Sequence, residues 1–121
     1  MDKFFYVLCA GRHEIPEEIA GMNFGGYIYD EVPNVLDFES LNNRAFDFCE
    51  AREGGTTWSA GPAQIDYTDV EQVYHVPLNV VVTGLTAACV AVVRACVYTG
   101  TPLTLWHYNR DTGEYVPQIV V

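Results

Sequence analysis

Three short groups in this acidic chain combine residues that could hold or react with an anion. They are Gly11-Arg12-His13, Thr83-Gly84-Leu85-Thr86, and His107 with Asn109 and Arg110. Each follows an apolar, β-branched or aromatic segment. An arginine at Arg12 or Arg110 can stabilise phosphate charge, and His13 or His107 can move protons near neutral pH. The hydroxyls of Thr83 and Thr86 can donate to phosphate oxygens or base edges. Gly84 lets a ligand approach the backbone where a helix with unsatisfied amides begins. Each residue also has a plainer role: Thr86 as a helix cap, Gly84 as a steric necessity, His107 as a satisfied histidine between Trp106 and Tyr108, and the arginines as solvated charges.

Other chemistries lack their signatures. No two histidines or carboxylates have the His-Glu-x-x-His spacing of a metal site, and neither Gly-x-x-x-x-Gly-Lys nor Gly-x-Gly-x-x-Gly occurs. Ser40 and Ser59 fall in helical and loop patterns without a nucleophile elbow. Cys9, Cys49, Cys89 and Cys96 form no Cys-x-x-Cys pair and lie in apolar segments, as reduced core thiols do. The expectation is a chain with no metal and no cofactor.

With 16 acidic and 6 basic residues the formal charge is -10, which disfavours wrapping of bulk nucleic acid. The 121 residues are half hydrophobic, enough for one folded domain spanning residues 1–121. The opening apolar run is too short for a secretory core, and the Leu85 to Val97 stretch is interrupted by Arg94. These features predict a cytoplasmic protein that does not enter the membrane.

The elements that must position the three groups can be read from periodicity. Lys3 to Ala10 reads as a central strand buried on both faces, and Tyr27 to Val32, after Gly25-Gly26, as an edge strand. Asp37 caps a helix over about Phe38 to Arg52 that stops at Gly54. Glu53 to Pro62, with Trp58, reads as a loop, while Asp69 to Val76 fits either a short helix or a strand. Leu78 to Thr83, a helix from Ala87 to Tyr98, and Leu103 to Tyr108 make a right-handed βαβ unit, and Glu114 to Val121 returns antiparallel after a turn. The expected fold is a single-domain, Rossmann-like, three-layer α/β sheet, mostly parallel with a C-terminal antiparallel hairpin. In such a sheet ligands bind beyond the carboxyl ends of the parallel strands, where all three groups fall.

A positive patch inside an acidic shell suits a small anionic, nucleotide-like ligand better than a long polyanion. The helix from Ala87 to Tyr98 is apolar almost all round, which predicts a homodimer that covers it, unless the loop bearing Trp58 does so within one chain. Acidic residues gather at Glu14, Glu17 and Glu18 and at Asp30 and Glu31, either as a solvated face or as a surface for a basic partner.

The order of a strand, His13-x-x-Pro16-x-x-Ile19, a second strand, Gly84-Leu85-Thr86, a long apolar helix and a closing hairpin resembles the layout of small CRISPR-associated proteins of the Rossmann-like CARF type. These include ring nucleases and cyclic-oligoadenylate binders of antiviral defence. The resemblance covers the first strand with its loop and the last third of the chain. It implies a dimer holding a cyclic nucleotide across its twofold axis, touched by Gly11 to His13 and Thr83 to Thr86. Three functions follow as expectations: a sensor or sequestering module for a nucleotide such as a cyclic oligonucleotide, a metal-independent ring nuclease or phosphodiesterase using Arg12, His13 and His107, and an acidic interaction or inhibitor protein of a mobile element. Whether the chain is an enzyme stays open.

Overall fold

The computed structural model describes residues 3–11, 14–32, 34–53 and 76–121. Arg12, His13, the glycine-rich segment with Trp58, and all of the ambiguous 69–76 stretch except Val76 lie outside them. The described elements are β1 (Phe4–Cys9), β2 (Glu18–Ile19), β3 (Met22–Tyr29), α1 (Phe38–Glu53), β4 (Leu78–Val81), α2 (Thr86–Thr99), β5 (Leu103–Asn109) and β6 (Glu114–Ile119). They form an α/β fold around one six-stranded mixed sheet of order β2-β3-β1-β4-β5-β6. β1 lies between β3 and β4 and runs parallel to both, and β5 runs parallel to β4. The outer strands β2 and β6 pair antiparallel with β3 and β5.

Both helices lie on one face. Leu8, Ile28, Leu78, Val80, Leu103 and Leu105 from the sheet share a buried cluster with Leu41, Ala45 and Cys49 of α1 and Ala88, Val92 and Cys96 of α2. Small side chains at Ala45, Ala91 and Ala95 let the helices approach, so that the Cys49 and Cys96 sulfurs stand 3.9 Å apart. Connections of one hand that step the same way along a sheet must cross on the same face. α1 follows β3 toward β4 and α2 joins β4 to β5, both steps in the same direction. The β1 to β3 connection steps the opposite way, and its Ile15 packs on the opposite face with Phe5, Val7, Ile19, Met22 and Val81. Among the described residues that second face carries no helix, and the third layer expected from the sequence is not seen there; Ile15 and the sheet side chains Trp106 and Tyr115 pack on its cluster.

The strand after the glycine pair differs from the sequence reading. β3 begins at Met22, contains Gly25 and Gly26, and is internal rather than an edge. Its register against β1 slips between Phe5 and Tyr6, which pair with Phe24 and Gly26 and leave Gly25 as the extra residue. A Cβ on Gly25 would stand 2.8 Å from the Tyr6 ring, and Gly26 adopts φ 134, a conformation suited to glycine. The pair therefore builds a bulge within the strand. β2 and its two-residue turn, Ala20-Gly21, had no counterpart in the periodicity.

Asp37 caps α1 as its position suggested: Oδ1 accepts the Ser40 N–H at 3.2 Å and Oδ2 the Ser40 hydroxyl at 2.9 Å. α2 differs. Its N-cap is Leu85, extended at φ -64 and ψ 112 with no side-chain cap bond, and Thr86 is already the first helical residue. The capping role assigned to Thr86 fails because a cap must precede the helical backbone. Gly100 closes the helix at φ 75, its N–H bonded to Cys96 O.

Candidate functional site

A cleft of about 610 Å³ opens beyond the carboxyl ends of β4 and β5. The β4 side contributes Val81, Val82 and Thr83, the hairpin His107, Tyr108, Arg110 and Tyr115, and the β1 to β3 connection Glu14, Ile15 and Pro16. Strand alternation explains the aromatic wall. Tyr108 and Tyr115 are direct cross-strand partners on one face, and their rings lie 5.2 Å apart at 53°. The same alternation puts Trp106 on that face, where its Nε1–H donates to Asn79 Oδ1 at 3.0 Å. Burial, and then the neighbouring Tyr108, push the Tyr115 hydroxyl above its ordinary pKa of 10.0.

The sequence-derived residues separate into distinct roles. Thr83, His107 and Arg110 line the one cleft. The Thr83 hydroxyl, expected to face a ligand, is buried and committed: it accepts from Cys9 N and donates to Cys9 O, both at 2.9 Å. Its role is to clamp the end of β4 to the end of β1. His107 is exposed with Nε2 at 2.7 Å from Gln118 Oε1, and alternation places both on the face opposite Tyr108 and Tyr115. Asn109 shapes the hairpin turn, its Oδ1 accepting the Asp111 N–H at 2.9 Å. Arg110, on the exposed turn, is the cation of the described lining.

Gly84 is exposed at φ 72, and it, Leu85 and Thr86 lie at the start of α2, outside the lining of this cleft. Gly11 lines a second, smaller hollow with Tyr29, Asp30 and Glu31. Arg12 and His13 lie outside the described residues, between Gly11 and the cleft residue Glu14.

Ile15, Tyr108 and Tyr115 were not singled out from the sequence as site residues, and Glu14 and Pro16 were read there only as part of an acidic cluster and of the chain layout. The two tyrosines had a usable signal: the register set by the Asn109 to Gly113 turn makes positions 108 and 115 partners. Among the described residues no three His, Cys, Asp or Glu side chains gather as a metal-ligand set. No helix among them is long and apolar enough to cross a membrane.

The cleft can thus offer two mutually tilted tyrosine rings, one guanidinium and the Glu14 carboxylate, a set suited to a ring-bearing anion. No family model, curated protein or solved structure matches the chain.

Proposed function

We propose that the chain is a cytoplasmic binding module for a small nucleotide-like anion, with a cyclic oligonucleotide among the forms it takes. The observation that carries this reading is Arg110 lining the same cleft as the Tyr108 and Tyr115 pair. A nucleobase gains about 1–3 kcal/mol by stacking on an aromatic ring, and a guanidinium is the side chain best matched to phosphate. The chain's excess negative charge repels long polyanions while one local cation still attracts a small ligand. Sensing or sequestration is favoured over turnover because the His107 ring is engaged by Gln118 on the other face of the hairpin. The accompanying fold reading is Rossmann-like, supported by the parallel order β3-β1-β4-β5 with helices between strands.

Isothermal calorimetry with a panel of linear and cyclic nucleotides tests this. Heat is expected with at least one, reduced about tenfold in affinity by Arg110→Ala. Absence of heat across the panel overturns the reading. Ligand recovered intact after long incubation supports binding alone, and cleaved ligand supports the ring-nuclease alternative.

We also propose that two copies associate through α2. Val90, Val97 and Tyr98 of α2 are exposed, and no Asp or Glu occurs between Gln72 and Arg110. Two chains of charge -10 approach with least repulsion on that face. Sedimentation equilibrium should report a dimer that Val97→Asp dissociates. A monomeric parent chain would overturn the association.

A further inference from the structure

We infer that the surface around residues 34–39 docks a basic, amphipathic segment of another protein. Val35, Leu36 and Phe38 are 42%, 70% and 55% exposed and stand either side of Asp37 at the entrance to α1. A run of apolar side chains left in water at a helix entrance marks a contact surface when the backbone holds it in place. Here the backbone is held. Asn34 Oδ1 accepts the Leu36 N–H at 3.0 Å, Asn34 O accepts Asp37 N at 3.2 Å, and Leu36 O accepts Phe38 N at 3.0 Å. The Asp37 cap then fixes where the helix starts.

Beside this ridge lies a groove of about 440 Å³ whose lining includes apolar Val32 and Leu41 and acidic Asp30, Glu31 and Asp37. Asp30, Glu31 and Glu39 are exposed around the ridge. Arg44, the cation of that lining, donates through Nε to Ile28 O at 2.8 Å. The charge selects the occupant. Carboxylates around apolar anchors repel nucleic acid and anionic lipid, and they complement lysine or arginine flanking apolar side chains. Leu36 and Phe38 supply the anchors, and the carboxylates supply register and speed of association.

The test uses two synthetic helical peptides of equal length and charge, one carrying leucine on the face opposite its lysines and the other serine. Fluorescence anisotropy should show the leucine–lysine peptide binding the intact chain about tenfold more tightly than the serine–lysine peptide. The double variant Leu36→Ser, Phe38→Ser should erase that preference. Asp30→Asn with Glu31→Gln should weaken both peptides and flatten the salt dependence. Amide shift changes should centre on residues 30–40. Equal affinity of the two peptides, a preference that survives the double variant, shift changes centred elsewhere, or capture by anionic vesicles in place of the peptide would each overturn the inference. Circular dichroism melting verifies that the double variant is folded, since the replaced side chains are exposed. Leu36 and Phe38 lie outside the cleft lining, so nucleotide calorimetry should be unaffected by that variant and failure here is distinguishable from failure of the cleft reading.

Discussion

Thr83 and Cys9 are joined by two hydrogen bonds through one hydroxyl, which accepts from the Cys9 amide and donates to the Cys9 carbonyl. The ladder of β4 ends at Val81, so this side chain extends the β1–β4 pairing past the last backbone partners, Val7 and Val81. It sits at the point where the strand order reverses, with β3 on one side of β1 and β4 on the other. A crevice at such a point ordinarily receives ligands. In this fold the clamp draws the crevice together, and the wider opening lies one strand further along, between β4 and the hairpin.

Thr83→Val keeps the shape and removes both bonds in a fully packed setting. Urea unfolding should show a loss of about 2 kcal/mol with the slope unchanged. Thr83→Ser, which keeps the hydroxyl, should lose less than half of that. An unchanged stability in Thr83→Val, or a larger loss in Thr83→Ser than in Thr83→Val, would mean that packing of the methyl group, and not the clamp, carries the effect.

Tyr29 gives a pH signature. Its hydroxyl donates to Leu41 O at 2.7 Å, and burial, the largest cause, raises its pKa well above the ordinary 10.0. The native state therefore keeps the proton at pH values where the unfolded chain releases it. The stability that Tyr29 contributes is complete below pH 10.0 and declines as pH rises above that value. Tyr29→Phe should cost about 1 kcal/mol at neutral pH, and the gap to the parent chain should narrow above pH 10 by up to about 1.4 kcal/mol per pH unit. A gap that stays constant between pH 8 and 11 would contradict this.

The turn between β2 and β3 is strained at one identifiable place. Ala20 has φ 50 and Gly21 φ 80, the two positive values that a type I′ hairpin turn demands. Alanine tolerates this poorly, whereas asparagine enters the left-handed region readily. Ala20→Asn should raise stability by about 0.5–1 kcal/mol in thermal or urea unfolding, and Ala20→Val should lower it. Stabilisation by valine would mean that the turn takes another conformation.

These positions illustrate what periodicity reveals and what it hides. The sequence exposes β1, α1, α2, β4 and β5 because each carries a long apolar run or a three-to-four residue spacing with a glycine or capping signal at its end. It hides β2, which has only Glu18 and Ile19, too few for any period. It misreads Gly25-Gly26 as punctuation, since a glycine pair inside a bulged strand looks the same in one dimension as a pair that ends one. For the cleft, placement beyond the strand ends was readable for Thr83 and Arg110, whereas His107 lies within β5. Which hydroxyls and ring nitrogens were already committed was not, because the partners Cys9 and Gln118 are fixed only by tertiary register.

Pro117 shows how the sheet's last edge is protected, and it supplies a test of the route by which copies meet. Trp106 O accepts from Val82 N at 3.0 Å, so residue 106 directs its backbone groups toward β4. Its neighbours on β5 direct theirs toward β6, and Leu103 O accordingly accepts from Val120 N at 2.9 Å. Pro117 pairs with Trp106, and its nitrogen therefore faces outward on β6, in the middle of the exposed edge between Tyr115 and Ile119. A missing donor there blocks a further strand from adding in register. Pro117→Val restores that donor and raises strand propensity on an edge that already exposes Val116 and Ile119. Light scattering should then show concentration-dependent growth beyond the parent species, and Val116→Lys placed on top should reverse it. A variant with the parent's size at every concentration would mean that the proline is not what keeps the edge closed.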